Sequence, residues 1–147
     1  MGHTKEFMHY RSSGVPILVV LSGPSGVGKD SILLQLRKLT RPWHFAVTAT
    51  TRAQRPLELE GIHYMFLDGD TFQQMLREDK FLESAQVYGN WYGLPRTQVT
   101  EALNRGQDVI VKADVQGAAT IRNIAPGGVF IFLMPPSPQE LERRLRD

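Results

Sequence analysis

Between an apolar run and a helical pattern stands Gly23-Pro24-Ser25-Gly26-Val27-Gly28-Lys29-Asp30, and no other stretch constrains the fold of this chain as strongly. Glycine, four free positions and then Gly-Lys is the spacing of a loop that wraps phosphates, followed by a Ser or Thr whose hydroxyl holds a nucleotide's magnesium ion. Here that last position carries a carboxylate, Asp30. Upstream, Pro16 to Ser22 is continuous, apolar and rich in β-branched residues, as expected of a strand buried on both faces of a parallel sheet. Downstream, Ile32, Leu33, Leu36 and Leu39 recur at helical spacing, leaving Gln35, Arg37 and Lys38 for an outer face. A loop in this position turns its amides toward an anion at the helix N-terminus, and its glycines admit a close backbone approach. Ser25, Gly26, Val27, Gly28, Lys29, Asp30 and Ser31 are therefore the candidate phosphate-binding residues, with Lys29 as a mobile positive charge. A turn that merely joins strand to helix needs neither the lysine nor the full spacing.

Size and charge narrow the function classes. At 147 residues the chain is one domain with room for a real core. Seventeen Lys and Arg against fifteen Asp and Glu give a net charge of +2, too balanced to argue for nucleic acid, whereas a small acidic ligand fits. The lack of Cys excludes disulfides and thiolate metal sites and suits a reducing cytoplasm. The first fifteen residues carry His3, Lys5, His9 and Arg11 without a signal-peptide core, and read as a flexible tail. Nothing in the sequence approaches a membrane span.

Strand-like and helix-like runs then alternate. Phe45 to Thr48 reads as a strand, followed by a basic loop and a segment rich in Tyr, Phe and Glu from Gly61 to Gly93 that looks inserted. Within it, His63 to Leu67 and Phe81 to Tyr88 read as strands, and Asp70 to Asp79 as a helix capped by Asp70 or Thr71. Thr97 to Asn104 predicts a helix ending near Gly106, Asp108 to Ala113 a buried strand, and Val115 to Ile124 a helix. Val129 to Leu133 reads as a further buried strand, and Ser137 caps a last helix through Arg146, with Glu140 completing a capping box. This alternation predicts an α/β fold with a doubly wound parallel sheet.

The run Thr48-Ala49-Thr50-Thr51-Arg52-Ala53-Gln54-Arg55-Pro56 sets two guanidinium groups three residues apart, directly after a strand. Their planar forks suit bidentate bonds to phosphate oxygens, although a solvated basic loop has the same composition. With this block included, the chain resembles the guanylate kinase family over nearly everything from Pro16 onward. The resemblance rests on GPSGVGK, ATTRAQRP, EGIHYMFL, Phe81-Leu82-Glu83, YGNWYG from Tyr88 to Gly93, and ADVQGA from Ala113 to Ala118, in that order. It implies a P-loop NTPase-type core at 16–47 and 97–147 with an inserted mixed α/β GMP-binding region at about 48–96. The implied reaction moves the γ-phosphoryl group of ATP to GMP, with magnesium bridging the ATP phosphates and neither nucleic acid nor membrane as a partner. By the same resemblance Arg52, Arg55, Tyr64 and Tyr92 hold the GMP phosphate, while Thr48, Glu83 and Asp114 read the base. The guanine edge presents an N1 hydrogen beside a 2-amino group, two donors that one carboxylate accepts together and that adenine lacks. Lys29, Arg52 and Arg144 are the implied catalytic cations, Arg144 approaching the triphosphate from the last helix. No general base is needed, because the GMP phosphate is already an anionic nucleophile.

Three departures from the family pattern leave alternatives open. Asp30 can serve magnesium as a hard oxygen ligand, can sit as a helix-start residue favoured by the dipole, or can mark another acceptor, since ribose 1,5-bisphosphate phosphokinases carry a GKD-type loop. Leu94 stands where the family usually has Ser or Thr near the base, which predicts weaker guanine binding. Lys112 occupies a commonly acidic position, where it either shifts the charge near the magnesium or the phosphates or lies at a strand end facing water. The family's lid and C-terminal helices are not represented before Asp147, so a chain of this length is expected to bind GMP but transfer phosphate poorly. A reading from a different class is a guanylate-kinase-like module that captures peptides. Such modules generally have eroded loops, whereas this chain keeps both glycines and Lys29.

Overall fold

The apolar run ahead of the glycine loop forms β1 (Leu18–Ser22), and the helical pattern behind it forms α1 (Lys29–Arg37). In the computed structural model, residues 14–24, 26–39 and 42–146 are described, so most of the expected tail, as well as Ser25, lies outside the described residues. β1 is central in a parallel sheet with β2 (His44–Phe45), β7 (Val109–Lys112) and β8 (Val129–Phe132), in the order β2-β7-β1-β8. Val20, Val109 and Val111 are buried in it, together with Val99 and Ala102 of α3 (Arg96–Asn104) and Ile121 of α4 (Val115–Ile124). Each such valine or isoleucine side chain contributes about 1.5–3 kcal/mol by leaving water. The last helix among the described residues is α5 (Pro138–Arg146), ahead of which Ser137 Oγ accepts from the Glu140 amide at 3.1 Å. Glu140 does not complete the capping box; its carboxylate instead accepts from Arg143 and Arg144.

A second, mixed sheet carries the order β4-β3-β6-β5, made by β3 (Ala49–Thr50), β4 (Met65–Phe66), β5 (Phe81–Val87) and β6 (Asn90–Pro95). β3 and β4 run parallel, while β6 is antiparallel to both β3 and β5. Phe72 of α2 (Gly69–Arg77) packs against Phe81 at 4.4 Å between ring centroids and fills this sheet's own small core with Ala49. The crossing between sheets is held by Gln98 of α3, whose side-chain amide accepts from Val47 N at 2.8 Å and donates to Val47 O at 2.9 Å.

Several sequence expectations shift here. The strand predicted from Phe45 to Thr48 is broken at the point where the chain leaves one sheet for the other, so β2 ends at Phe45 and β3 begins at Ala49. α2 is capped by Asp68, not Asp70 or Thr71: its extended backbone lets the carboxylate accept from Thr71 N at 2.7 Å. β8 is not a buried strand but the last in its sheet, leaving Val129, Ile131 and Phe132 between 43% and 50% exposed. α1 likewise buries no residue fully; Ile32 and Leu39 of its expected inner face are exposed. No helix among the described residues is long and apolar enough to cross a membrane.

Candidate active site

The glycine loop leaves the carboxyl end of β1, the edge at which parallel sheets bind ligands. Gly26 (φ 79°) and Gly28 (φ 107°) adopt left-handed backbone that other residues enter only with strain, and Gly28 is the N-cap of α1. No side chain caps α1, so its first amides remain free to face an anion. Lys29 folds over the loop and donates from Nζ to the Gly23 carbonyl at 2.6 Å. Burial, and secondly the nearby Lys112 ammonium, lower its pKa below the ordinary lysine value. The loop's acidic residue, Asp30, accepts from Lys112 Nζ at 2.8 Å through Oδ1.

Across the cavity, the Thr50-Thr51-Arg52 turn is fixed by its hydroxyls. Thr50 Oγ1 donates to Trp91 O at 2.9 Å and accepts from Arg52 N at 3.2 Å, while Thr51 Oγ1 accepts from Trp91 N at 2.9 Å. Arg52 is thereby set 5.2 Å from the Tyr64 ring centroid, and Tyr64 meets Tyr92 edge-on at 6.0 Å. Both terminal nitrogens of Arg52 bind Glu58, at 2.9 and 2.8 Å, and the Arg55 amide adds a third bond at 2.9 Å. The Arg52 hydrogen bond is the main cause that draws the Glu58 pKa down to about 2, and the same contact raises that of Arg52. Sequence reading passed over Glu58; its signal was an opposite charge six residues from Arg52 inside a loop with no periodicity.

The base-reading candidates meet at the start of α4. Asp114 caps that helix, its Oδ1 accepting from Gly117 N at 2.6 Å. Glu83, on β5, reaches the same turn: a Cβ added at Gly117 would lie 3.1 Å from Asp114 Oδ1 and 3.4 Å from Glu83 Oε2. Glycine at 117 thus leaves room for two carboxylates side by side. Burial, and then the Asp114 charge, push the Glu83 pKa up to about 7. Its cross-strand partner is Leu94, which is fully buried in the core and so sets an apolar side chain beside the carboxylate.

One cavity of about 490 Å³ joins these groups, lined by Gly26, Gly28, Lys29, Asp30 and Ser31 at one end and by Thr48, Tyr64, Glu83, Tyr92 and Asp114 at the other. Lys112, the last residue of β7, lines it as well. Val27, Arg52, Arg55 and Arg144 do not. Arg144 lies against the loop's outer side, with Nη1 donating to Val27 O at 3.2 Å, and Arg55 is exposed. A protein-held magnesium ion does not fit this arrangement: the carboxylate the loop offers is already bonded to an ammonium, which would repel a cation beside it. No group of three or more His, Cys, Asp or Glu among the described residues could hold a metal ion.

Comparison with known proteins agrees with this geometry. The guanylate kinase family model matches residues 16–147. The chain is 49% identical over 130 residues to the guanylate kinase of Carboxydothermus hydrogenoformans, covering 88% of this chain and 64% of that one. With the guanylate kinase of Clostridium acetobutylicum it shares 47% identity over 129 residues, 88% of this chain and 61% of the relative. The chain thus spans less than two thirds of the length of these relatives. The crystal structure of guanylate kinase from Anaplasma phagocytophilum superimposes with a TM-score of 0.75 at 36% identity, covering 90% of this chain and 67% of that one. On sequence and fold together, this chain belongs to the guanylate kinase family.

Proposed function

We infer that this chain serves transfer of the γ-phosphoryl group from ATP to GMP. The observation that carries the reading is the meeting of Glu83 and Asp114 over Gly117, in the same cavity as the Lys29 loop. Guanine presents two adjacent N–H donors, and an ionised Glu83 accepts both, whereas adenine would leave the buried carboxylate without a partner. Thr48 stands in the same lining for the base oxygen. Tyr64 and Tyr92, backed by Arg52 and joined by Arg55, hold the acceptor phosphate. The amides from Gly26 to Ser31, together with Lys29, hold the donor phosphates, and Arg144 tethers the last helix to that loop.

In the reaction a GMP phosphate oxygen attacks the γ-phosphorus, the bond from that phosphorus to the oxygen bridging it to the β-phosphorus breaks, and GDP and ADP leave. Alignment and charge neutralisation carry such a step, and no side chain need take a proton. A magnesium ion bound with ATP would add charge neutralisation at the phosphates beside Lys29 and the loop amides. A reaction that draws on ATP and GMP favours a cytoplasmic location for the chain.

Calorimetric titration with GMP, AMP, ATP and ribose 1,5-bisphosphate, alongside an assay for GDP formation, tests the reading. GMP should bind roughly 100-fold more tightly than AMP, and Glu83→Gln should remove most of that preference. An unchanged preference in Glu83→Gln would refute the base-reading assignment. Tighter binding of the sugar bisphosphate than of GMP would move the acceptor away from the nucleotide, and GMP binding without any ATP binding would point to a non-catalytic module.

A further inference from the structure

We propose that Lys112 is a phosphate-binding residue standing between the donor and acceptor phosphates, and that Asp30 is the positioning residue that holds it there in place of a loop-bound magnesium ion. The inference rests on the phosphotransfer reading above and assigns a role to a residue that reading leaves unused.

Its basis is where the ammonium lies. Lys112 is the last residue of β7, at the carboxyl edge of the parallel sheet. Its Nζ is 2.8 Å from Asp30 Oδ1 at the N-terminus of α1 and 5.1 Å from the ring centroid of Tyr64. The first contact belongs to the loop end of the cavity, the second to the tyrosine end, so one charge reaches both. The phosphoryl group must pass between those ends.

The ion pair is unequal in a way that argues for a ligand. Lys112 keeps only 22% of its side chain exposed, whereas Asp30 keeps 72%. An ion pair formed for stability alone on an exposed surface contributes at most about 1 kcal/mol. Here the less exposed member is the cation, and an ammonium has three donors, of which Asp30 accepts one. Lys112 lines the cavity with Lys29, and its charge is the second cause that lowers the Lys29 pKa. Two ammonium groups in one cleft repel each other until an anion separates them, and a polyphosphate is that anion.

The substitution pattern has the same logic. The loop position that normally offers a magnesium-binding hydroxyl is Asp30. Left alone beside phosphates, that carboxylate repels them; paired with Lys112, it becomes a local anchor for a positive charge. The pair thus keeps the charge balance of the cleft while replacing a metal ion with an ammonium. Lysine serves this purpose as a compact point charge on a flexible stem.

The test is calorimetric titration of the 147-residue chain with ATP, once with EDTA and once with magnesium, and with GMP as a control. The parent chain should bind metal-free ATP at least as tightly as the magnesium complex. Lys112→Met, which keeps the apolar stem, should lose about 10-fold or more in affinity for metal-free ATP and come to prefer the magnesium complex. Lys112→Arg should retain most of the affinity. Asp30→Asn should weaken metal-free ATP without lowering the melting temperature, a result that a merely structural ion pair would not give. If Lys112→Met melts like the parent and binds metal-free ATP equally well, the assignment is overturned while the kinase reading stands. A parent chain that binds ATP only with magnesium also overturns it. A parent chain that binds neither ATP nor GMP overturns both.

Discussion

On the proposed reading, selectivity for GMP over AMP should rise with pH, because Glu83, the residue assigned to the base, has its pKa pushed up to about 7. Burial and the Asp114 charge push Glu83 up to about 7, and only its ionised form accepts two N–H donors. About one molecule in eleven carries that carboxylate at pH 6, and about ten in eleven at pH 8. Lowering the pH from 8 to 6 should therefore weaken GMP binding about 10-fold through this group. The nucleotide's own phosphate also titrates near pH 6. AMP carries the same phosphate, so the ratio of GMP to AMP affinity cancels that contribution. Calorimetry of both nucleotides at pH 6, 7 and 8, on the parent and on Glu83→Gln, measures the ratio directly. The parent's ratio should grow about 10-fold and the variant's should stay flat. A flat ratio in the parent would refute the reasoning. Stability carries the opposite sign: the folded state holds the Glu83 proton more tightly than the unfolded chain. This contribution is complete below the unfolded value of 4.5 and is lost as pH rises to about 7.

Two further substitutions probe the supports of the site. Glu58→Gln removes the charge that both terminal nitrogens of Arg52 bind; GMP affinity should fall about 10-fold while guanosine affinity is unchanged, and tighter GMP binding would show instead that Glu58 competes with the phosphate. Leu94→Ala opens a cavity in the core that joins the two sheets, and should cost about 2–5 kcal/mol in urea or thermal unfolding; a loss below about 0.5 kcal/mol would contradict the packing described.

The parts of the fold visible in the sequence are those specified locally. β1 and β7 are apolar runs ending in a loop glycine or a helix cap, and α4 begins one residue after Asp114, as its spacing predicts. What stayed hidden depends on partners far along the chain. β6 contains Gly93 and Pro95 and has no strand signature; it becomes a strand because Tyr88 (φ 49°) and Gly89 (φ 81°) turn it back onto β5, and because Gly93 leaves room for the Phe81 ring. β8 has the composition of a buried strand, yet its place at the end of the sheet exposes it, and no composition encodes strand order. In the candidate site, motif spacing pointed to the loop, and the family resemblance to the tyrosines and the two carboxylates. The bond between Lys112 and Asp30 spans 82 positions, so reading from sequence left Lys112 between a phosphate role and a strand end in water.

On the proposed reading, the directions in which the cavity perturbs its charges account for a distinct ligand at each end. At one end burial disfavours the Glu83 carboxylate, and at the other burial disfavours the Lys29 ammonium. Each group is therefore held in an environment that a partner of opposite character improves: two N–H donors of the acceptor base for the carboxylate, donor phosphate oxygens for the ammonium. AMP, bound as acceptor, supplies a phosphate but not the two donors, so it leaves the carboxylate without a partner beside Asp114. ATP supplies the oxygens at the lysine end whichever acceptor is bound. The distance between β5 and the loop, and so between acceptor base and donor phosphates, is held by the shared core of Leu94, Val20 and Val111. Selectivity for a guanine acceptor then follows from a carboxylate that is unfavourable until its donors arrive, more than from the strength of any single contact.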